Sequence, residues 1–313
     1  MKNKFNIAKL RNRYKDISRR MNQHRGLYLL ILPAFIIVLI FKYVPLYGVQ
    51  LAWKELKLGQ SINQAKWVGW DNFIRFVTNG SFIRTLKNTL AIGTLSLLTF
   101  PLPIILAVLL HNCEVKWVKK TVQTVTYIPN LVSVVVTMSI VMLFCSDSTG
   151  FINIFLKKFG METIPFFSNE KYVYPMYIIS GIWSSIGYNA VIYLASLSTV
   201  NQDIVDAAVM DGCSKLQRIW YVDLPKIRPT IITIFIMNMG SILGLSTEKM
   251  LLLQTDLNLA ASEVIGTYTY KVGIISRQYG YSTAVGLCTN LVSFILICVA
   301  NEIAKRVSNT SLF

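Results

Sequence analysis

Charged and metal-binding side chains are scarce in this sequence. Asp, Glu, Lys and Arg make up only 15% of its 313 residues, whereas a soluble domain carries about 25%. The two histidines, His24 and His111, are too far apart for an HExxH zinc helix. The five cysteines form no CxxC pair and lie mostly in or beside apolar segments (Cys113, Cys145, Cys213, Cys288 and Cys298). We expect them to pack as small apolar side chains, and their spacing predicts neither a disulfide framework nor a metal site.

Motifs for enzymatic chemistry are also missing. The sequence has no GxxxxGK[ST] phosphate loop, so this chain is not expected to hydrolyse ATP. An intramembrane enzyme would need a nucleophile and base, or a metal cluster, within its apolar segments, and two isolated histidines argue against one. We therefore predict no catalytic residues, and the sequence favours a transport or binding function.

Apolar residues dominate what remains. They account for 53% of the chain, and the mean hydropathy is +0.50. Several apolar runs of about 20 residues are long enough to cross roughly 30 Å of hydrocarbon at about 1.5 Å per residue. The sequence predicts an all-α polytopic membrane protein with about six spans. These spans are expected near residues 26–49, 82–110, 122–144, 172–199, 230–253 and 281–300.

The net charge of +16 has two explanations. Without a nucleic-acid motif, membrane orientation is the better one, and we expect no nucleic-acid partner. Six spans put both termini on one face, and this face also carries the basic turn after the second span and the polar stretch 201–228. Lysine and arginine concentrate on that face, which predicts that it is cytoplasmic.

The expected domain organisation follows from this topology. A basic cytoplasmic tail covers residues 1–26, and it is better suited to anionic lipid than to a signal peptide. A transmembrane domain covers residues 27–306, and a short cytoplasmic tail covers residues 307–313. Within the second span, the Phe100-Pro101-Leu102-Pro103 segment predicts a helix kink.

Polar residues in the fourth and fifth spans are candidates for a substrate path. Tyr188, Asn189 and Tyr193 lie in the fourth span, and Asn238 and Ser241 lie in the fifth. Hydroxyl, amide and aromatic groups suit sugar recognition, but each of these residues equally suits helix packing. Both interpretations stay open.

The fifth span holds two further features. Its Gly240-x-x-x-Gly244 pair would permit close helix contact. Near its outer end, Glu248 and Lys249 are expected to pair with each other or with neighbours near the surface. We favour that arrangement over a proton relay.

The stretch 205–229 is polar although it lies between two apolar segments, so we expect a helical excursion out of the membrane. Asp203 is a candidate cap for a first helix, Asp211-Gly212 would end it, and Ser214 would cap a second. Small and apolar residues could give the excursion a face for another protein (Ile204, Ala207, Ala208 and Leu216). The alternative is a helix that lies passively among lipid headgroups.

The spacing of these residues resembles a known motif. Asp206-Ala207-Ala208, followed by Gly212 and then Leu224-Pro225, is similar to the EAA loop of permease subunits in binding-protein-dependent ABC importers. Asp206 departs from the usual glutamate of that motif. The resemblance implies that these six residues couple the permease to an ATPase.

Further stretches resemble the LplB-type branch of the carbohydrate permeases, among them WVGWDNFIRF, GYNAVIYLASL and EKMLLLQ. That resemblance covers nearly the whole chain. It implies a second, different permease subunit, ABC ATPase subunits that bind ATP and Mg²⁺, and an extracytoplasmic solute-binding protein. It also implies oligosaccharides or uronate-containing saccharides as substrates, and no cofactor in this chain.

A self-standing secondary transporter of small polar solutes is the principal alternative. Such a transporter would be expected to show internal repeats, or buried acids and unwound helices in paired positions. The sequence shows no internal repeat and no convincing acid in the middle of a span.

Overall fold

The computed structural model describes residues 23–308 and Leu312. Most of the two predicted tails, 1–26 and 307–313, therefore lies outside the described residues. The described chain is mostly helical. Its helices are α1 (Arg25–Val38), α2 (Asp71–Thr78), α3 (Ser81–Leu98), α4 (Pro101–His111), α5 (Lys116–Tyr127), α6 (Val134–Cys145), α7 (Phe151–Lys158), α8 (Val173–Leu197), α9 (Gln202–Met210), α10 (Lys215–Arg218), α11 (Leu224–Gly240), α12 (Thr247–Leu253), α13 (Leu259–Ser262), α14 (Ile265–Tyr270) and α15 (Tyr279–Ser308). Two short strands, β1 (Lys54–Glu55) and β2 (Lys66–Trp67), pair antiparallel.

Four helical segments in the described part of the chain are long and apolar enough to cross a membrane: Arg25–Trp53, Ser81–His111, Glu170–Leu197 and Tyr279–Val307. The polytopic all-α prediction is confirmed. The first segment begins with α1 and continues through a π-helical turn and a 3-10 stretch to Trp53. The most apolar part of this segment has no residue buried against the rest of the chain.

The helix of the second span is interrupted at the Phe100-Pro101 segment, where a kink is predicted. Helix α3 ends at Leu98 and α4 begins at Pro101, since proline at the first helical turn starts a new helix without losing a hydrogen bond. The two parts still form one span, Ser81–His111.

The third span, predicted as one helix over residues 122–144, is broken. The segment Lys116–Leu131 and helix α6 meet at an angle of 105°. Pro129 lies in a 3-10 turn before the bend, and Ser133 caps α6 by accepting a hydrogen bond from the backbone N–H of Val136. Together the two pieces make at most one further span.

The fifth predicted span, 230–253, is also interrupted. Helix α11 begins at Leu224 and ends at Gly240, and α12 begins only at Thr247. The intervening residues form a turn and an extended segment. The break lies beside a cavity between the helices, whose lining includes Ser241, Ile242, Leu245 and Ser246.

Only one glycine of the predicted contact pair meets another helix. A Cβ atom on Gly240 would lie 2.2 Å from Cγ1 of Ile297 in α15, so this glycine allows α11 and α15 to approach closely. A Cβ atom on Gly244 would meet only its own turn, with Ser241 O as its nearest neighbour at 3.4 Å.

Helix α8 is shared by two buried clusters. One cluster lies between α6, α8 and α12 and contains Met138, Tyr177 and Met250. The other lies between α4, α8 and α11 and contains Ala107, Tyr193 and Ile227. Helix α8 therefore links the polar excursion, which follows its C-terminus, to the interior of the helix bundle.

Candidate functional site

The polar excursion forms two short helices, α9 and α10, as the sequence predicts. Asn201, rather than the predicted Asp203, caps α9: its side chain accepts a hydrogen bond from the N–H of Asp203 at 3.1 Å. Asp203 lies in the first turn, where the helix dipole favours an acid. Asp206 is exposed and accepts a hydrogen bond from Nε2 of Gln202 at 2.9 Å.

Gly212 ends the first helix of the excursion. Its φ of +76° lies in the left-handed region, which glycine adopts without strain. The N–H of Gly212 donates to Val209 O at 3.0 Å, and the N–H of Cys213 donates to Ala208 O at 2.9 Å. Ser214 then caps α10 in a capping box with Gln217, as predicted for Ser214. The end of α9 and the start of α10 are thus fixed by hydrogen bonds between residues that are close in sequence.

The excursion exposes apolar side chains. Met210 is 86% exposed, and Ile204, Val209 and Leu216 are also exposed. Of the two small residues, Ala207 is exposed and Ala208 is half-buried. Exposed apolar groups beside an acid are typical of a surface that another protein covers.

A buried acid ties the excursion to the second span. Asp223 is fully buried directly before Leu224-Pro225, and its Oδ2 atom lies 3.6 Å from Nε of Arg218. Asn112, at the C-terminus of α4, donates from Nδ2 to the same oxygen at 3.3 Å and accepts a hydrogen bond from Arg218. Sequence analysis missed this cluster because Asn112 and Asp223 are 111 residues apart.

A second contact joins the same two regions at the surface. Nζ of Lys215 donates to Oε1 of Glu114 at 2.6 Å, and both side chains are largely exposed. The hydrogen bond and positive charge of Lys215 lower the pKa of the Glu114 carboxyl group. Because water surrounds the pair, it contributes little to stability.

A cavity of about 440 Å³ lies between α3, α4, α8, α11 and α12. Four of the five predicted path residues line it: Asn189 and Tyr193 from α8, and Asn238 and Ser241 from the end of α11. Tyr188 is the exception. It is 48% exposed, lies outside the lining, and its ring centroid is 6.0 Å from that of Tyr127. We call this space the central cavity.

The wall of the central cavity mixes apolar and polar groups. Besides the predicted residues, it includes Ser184, Ser185 and Ser246. The hydroxyls of Ser184 and Ser185 both donate to Gly181 O, at 3.1 and 2.8 Å, which leaves their oxygen lone pairs as acceptors. A few placed polar groups in an otherwise apolar wall are typical of small-molecule sites.

Lys249 also lines the central cavity, contrary to the expected surface pairing with Glu248 or another neighbour. Glu248 is exposed, whereas Lys249 is buried. Nζ of Lys249 donates to Tyr177 O at 2.7 Å and lies 4.3 Å from the centroid of the Tyr177 ring. The prediction was wrong because the break before α12 turns this residue inward.

Residues 99–309 match the family described as "Binding-protein-dependent transport system inner membrane component", and the chain belongs to that family. It is therefore a multi-pass membrane subunit of a binding-protein-dependent ABC importer. It is a transport subunit and not an enzyme, since ATP hydrolysis in such an importer belongs to a separate subunit.

Two relatives from Bacillus subtilis (strain 168) are similar over almost their whole length. Protein LplB is 39% identical over 294 residues, which cover 94% of this chain and 92% of the relative. The polygalacturonan/rhamnogalacturonan transport system permease protein YteP is 37% identical over 300 residues, which cover 96% of this chain and 94% of the relative.

A solved structure is similar as well. A chain from the crystal structure of a bacterial alginate ABC transporter, in complex with an alginate pentasaccharide-bound periplasmic protein, superposes with a TM-score of 0.84. It is 32% identical, and the match covers 94% of this chain and 99% of that one. The resemblance that the excursion motif suggested is thereby confirmed at the level of the family.

Proposed function

We propose that this chain is the permease subunit of an ATP-driven importer of oligosaccharides, and that it forms one half of the translocation path. The observation that carries this proposal is the central cavity, whose wall holds the amide and hydroxyl groups of Asn189, Asn238 and Ser241. The carbohydrate relatives of the chain support the same substrate class. Sugars are bound through such groups, and aromatic residues such as Tyr193 complement their apolar faces.

The excursion is the proposed coupling loop. Asp206, Ala207, Ala208 and Gly212 would contact the ATPase, and Leu224-Pro225 would return the chain to the membrane. The exposure of Met210, Ile204 and Leu216 supports docking of a partner at this surface. The passive headgroup helix is the alternative, and it predicts that no partner binds here.

Coupling would proceed by rigid-body motion. Closure of the ATPase would pull on α9, and the cluster of Asp223, Arg218 and Asn112 would pass the displacement to α4 and α11. Both of these helices line the central cavity. The cavity would then open alternately to the two sides of the membrane.

The partners follow from this role. We propose a second permease subunit, ABC ATPase subunits that carry ATP and Mg²⁺, and an extracytoplasmic solute-binding protein. The concentration of Lys and Arg on the face that holds the coupling loop supports a cytoplasmic location for that face. Both chain termini would then be cytoplasmic.

Purification of the complex tests the proposal. The chain is extracted in detergent, co-purifying proteins are identified by mass spectrometry, and their ATPase activity is measured. We expect an ATPase and a second permease, and we expect Gly212→Trp to reduce the ATPase retained or to uncouple hydrolysis from uptake. Gly160→Trp is the matched control, because Gly160 also has a positive φ (+70°) and open space around it but lies outside the coupling loop.

Two outcomes would contradict the proposal. Normal transport by the Gly212→Trp variant would exclude the assigned role of the loop. A chain that purifies alone, and that transports in liposomes without ATP, would instead support the secondary transporter.

A further inference from the structure

Lys249 places a buried ammonium group in the wall of the central cavity, and none of the described residues is its acidic partner. The residue is only 9% exposed. Within the described part of the chain, no Asp or Glu oxygen lies within 4.0 Å of its Nζ atom. A buried charge without a counter-charge is costly, and inside membrane proteins such residues mark substrate or ion pathways.

The ammonium is held in place by its surroundings. Ser246 caps α12 by accepting a hydrogen bond from the N–H of Lys249, which sets the start of the helix. Nζ is anchored by the carbonyl oxygen of Tyr177 and lies over the tyrosine ring. A Cβ atom on Gly181 would approach Nζ to 3.2 Å, so the glycine leaves the space that the ammonium occupies.

The hydrogen-bonding capacity of this ammonium is not exhausted. An ammonium has three donors, and Tyr177 O is the one acceptor recorded for Nζ among the described residues. The same cavity wall presents Ser185, Asn189 and Asn238, whose groups suit neutral hydroxyls. Lys249 adds what they lack, a fixed positive charge for a negatively charged ligand group.

We propose that Lys249 binds the anionic group of an acidic saccharide during its passage through the central cavity. The chemistry is that of a charge-assisted hydrogen bond from the ammonium to a carboxylate or phosphate oxygen of the sugar. This inference rests on the proposed import function and narrows it: the preferred substrates carry negative charge. Lys249 is thus a specificity-determining residue of the path.

The test uses the intact complex of both permeases and the ATPase in proteoliposomes, with its solute-binding protein. ATP-driven uptake is measured for trigalacturonate, its methyl ester, galactotriose and a phosphorylated trisaccharide. Each is compared in the wild type, in Lys249→Met, which removes the charge at similar length, and in Lys249→Arg, which keeps it. Complex yield and basal ATPase activity report on assembly.

We expect Lys249→Met to lower trigalacturonate uptake about tenfold or more, the usual effect of losing a charged hydrogen bond. Uptake of galactotriose should change less than about twofold, and Lys249→Arg should restore most of the acidic uptake. Selective loss for the phosphorylated sugar instead would identify phosphate as the bound group. If Lys249→Met does not assemble, the inference is tested on the wild type alone, which should import trigalacturonate in preference to its methyl ester.

Other outcomes overturn the inference. Equal loss of acidic and neutral uptake in Lys249→Met would assign the lysine to packing or gating. Equal uptake of the acid and its ester by the wild type, or import of galactotriose alone, would exclude a charge-selective site while leaving carbohydrate import intact. If no saccharide is imported by a complex that hydrolyses ATP, the proposed function itself fails.

Discussion

Oδ2 of Asp223 lies 3.6 Å from Nε of Arg218, and this pair joins the end of α10 to the residue that precedes α11. The aspartate side chain is fully buried, whereas the arginine side chain is 22% exposed. Nε of Arg218 and Oδ1 of Asp223 have no hydrogen-bond partner in the described structure. The pair therefore holds through charge and through the shared contact with Asn112.

Removing the positive partner should destabilise the protein. Arg218→Met leaves the Asp223 carboxylate buried with Asn112 as its only hydrogen-bond partner among the described residues. Losing one side of a buried pair costs about 3–5 kcal/mol, and the partial exposure of Arg218 puts the expected cost near the lower limit. The measurement is the midpoint of thermal unfolding of the purified complex.

Lys215→Met is the matched control for that variant. Lys215 also pairs with an acid, Glu114, in the turn between α4 and α5. Because that pair is exposed, its removal should leave the unfolding midpoint unchanged. If Arg218→Met and Lys215→Met unfold at the same temperature, the buried cluster has no structural importance.

The conformation of Gly212 predicts a second effect. Gly212→Val forces a β-branched residue into a left-handed conformation at a cost of about 1–3 kcal/mol, and should therefore distort the end of α9. Gly212→Asn tolerates that conformation and should behave like the wild type. Because an added Cβ would meet no described residue other than its own chain neighbours within 4 Å, the difference reports on backbone conformation alone. Uptake per ATP hydrolysed is the quantity to measure, and equal coupling in the two variants would contradict this account.

The approach of α5 to α8 predicts a third effect. A Cβ atom on Gly187 would lie 2.3 Å from the carbonyl carbon and oxygen of Thr126, so backbone atoms would have to move. Gly187→Ala should lower stability by about 1–3 kcal/mol or more, as other overpacked substitutions do.

Gly286→Ala in α15 is the control, because an added Cβ there would meet no described residue within 4 Å apart from its own stretch of helix. Alanine is favoured over glycine within a helix by about 0.8–1.0 kcal/mol, so this variant should be as stable as the wild type or slightly more stable. The folded yield and the unfolding temperature in detergent are measured for Gly187→Ala and Gly286→Ala, and both should be lower for Gly187→Ala. Similar values for both variants would mean that the helices separate easily.

Neighbouring residues of α8 allow a fourth test. Asn189 lines the central cavity, whereas Tyr188 contacts Tyr127 outside it. We expect Asn189→Ala to reduce saccharide uptake roughly tenfold through a lost hydrogen bond to substrate. Tyr188→Ala should retain most of the uptake at equal membrane expression. The path assignment fails if Tyr188→Ala is the more damaged variant, or if alanine at both Asn189 and Tyr193 leaves uptake unchanged.

Composition and local pattern were enough for the class of protein and for much of the coupling loop. Apolar run length predicted the four uninterrupted spans, because every such helix must cross the same hydrocarbon thickness, but it did not predict the breaks in the third and fifth. The left-handed Gly212 and the Ser214 cap depend on residues only a few positions apart, so their spacing is visible in the chain. The Asn201 cap was missed because Asp203, two residues later, is an equally suitable residue type.

Tertiary structure decided the rest. The interruption of α11 before α12, the 105° bend before α6 and the inward position of Lys249 depend on which helices meet. The contact between Asn112 and Asp223 joins residues 111 positions apart. No local period encodes such pairs, because they form only when packing brings distant helices together. Hydrophobic length therefore identified a membrane protein, whereas helix packing determined which of its polar groups share a cavity.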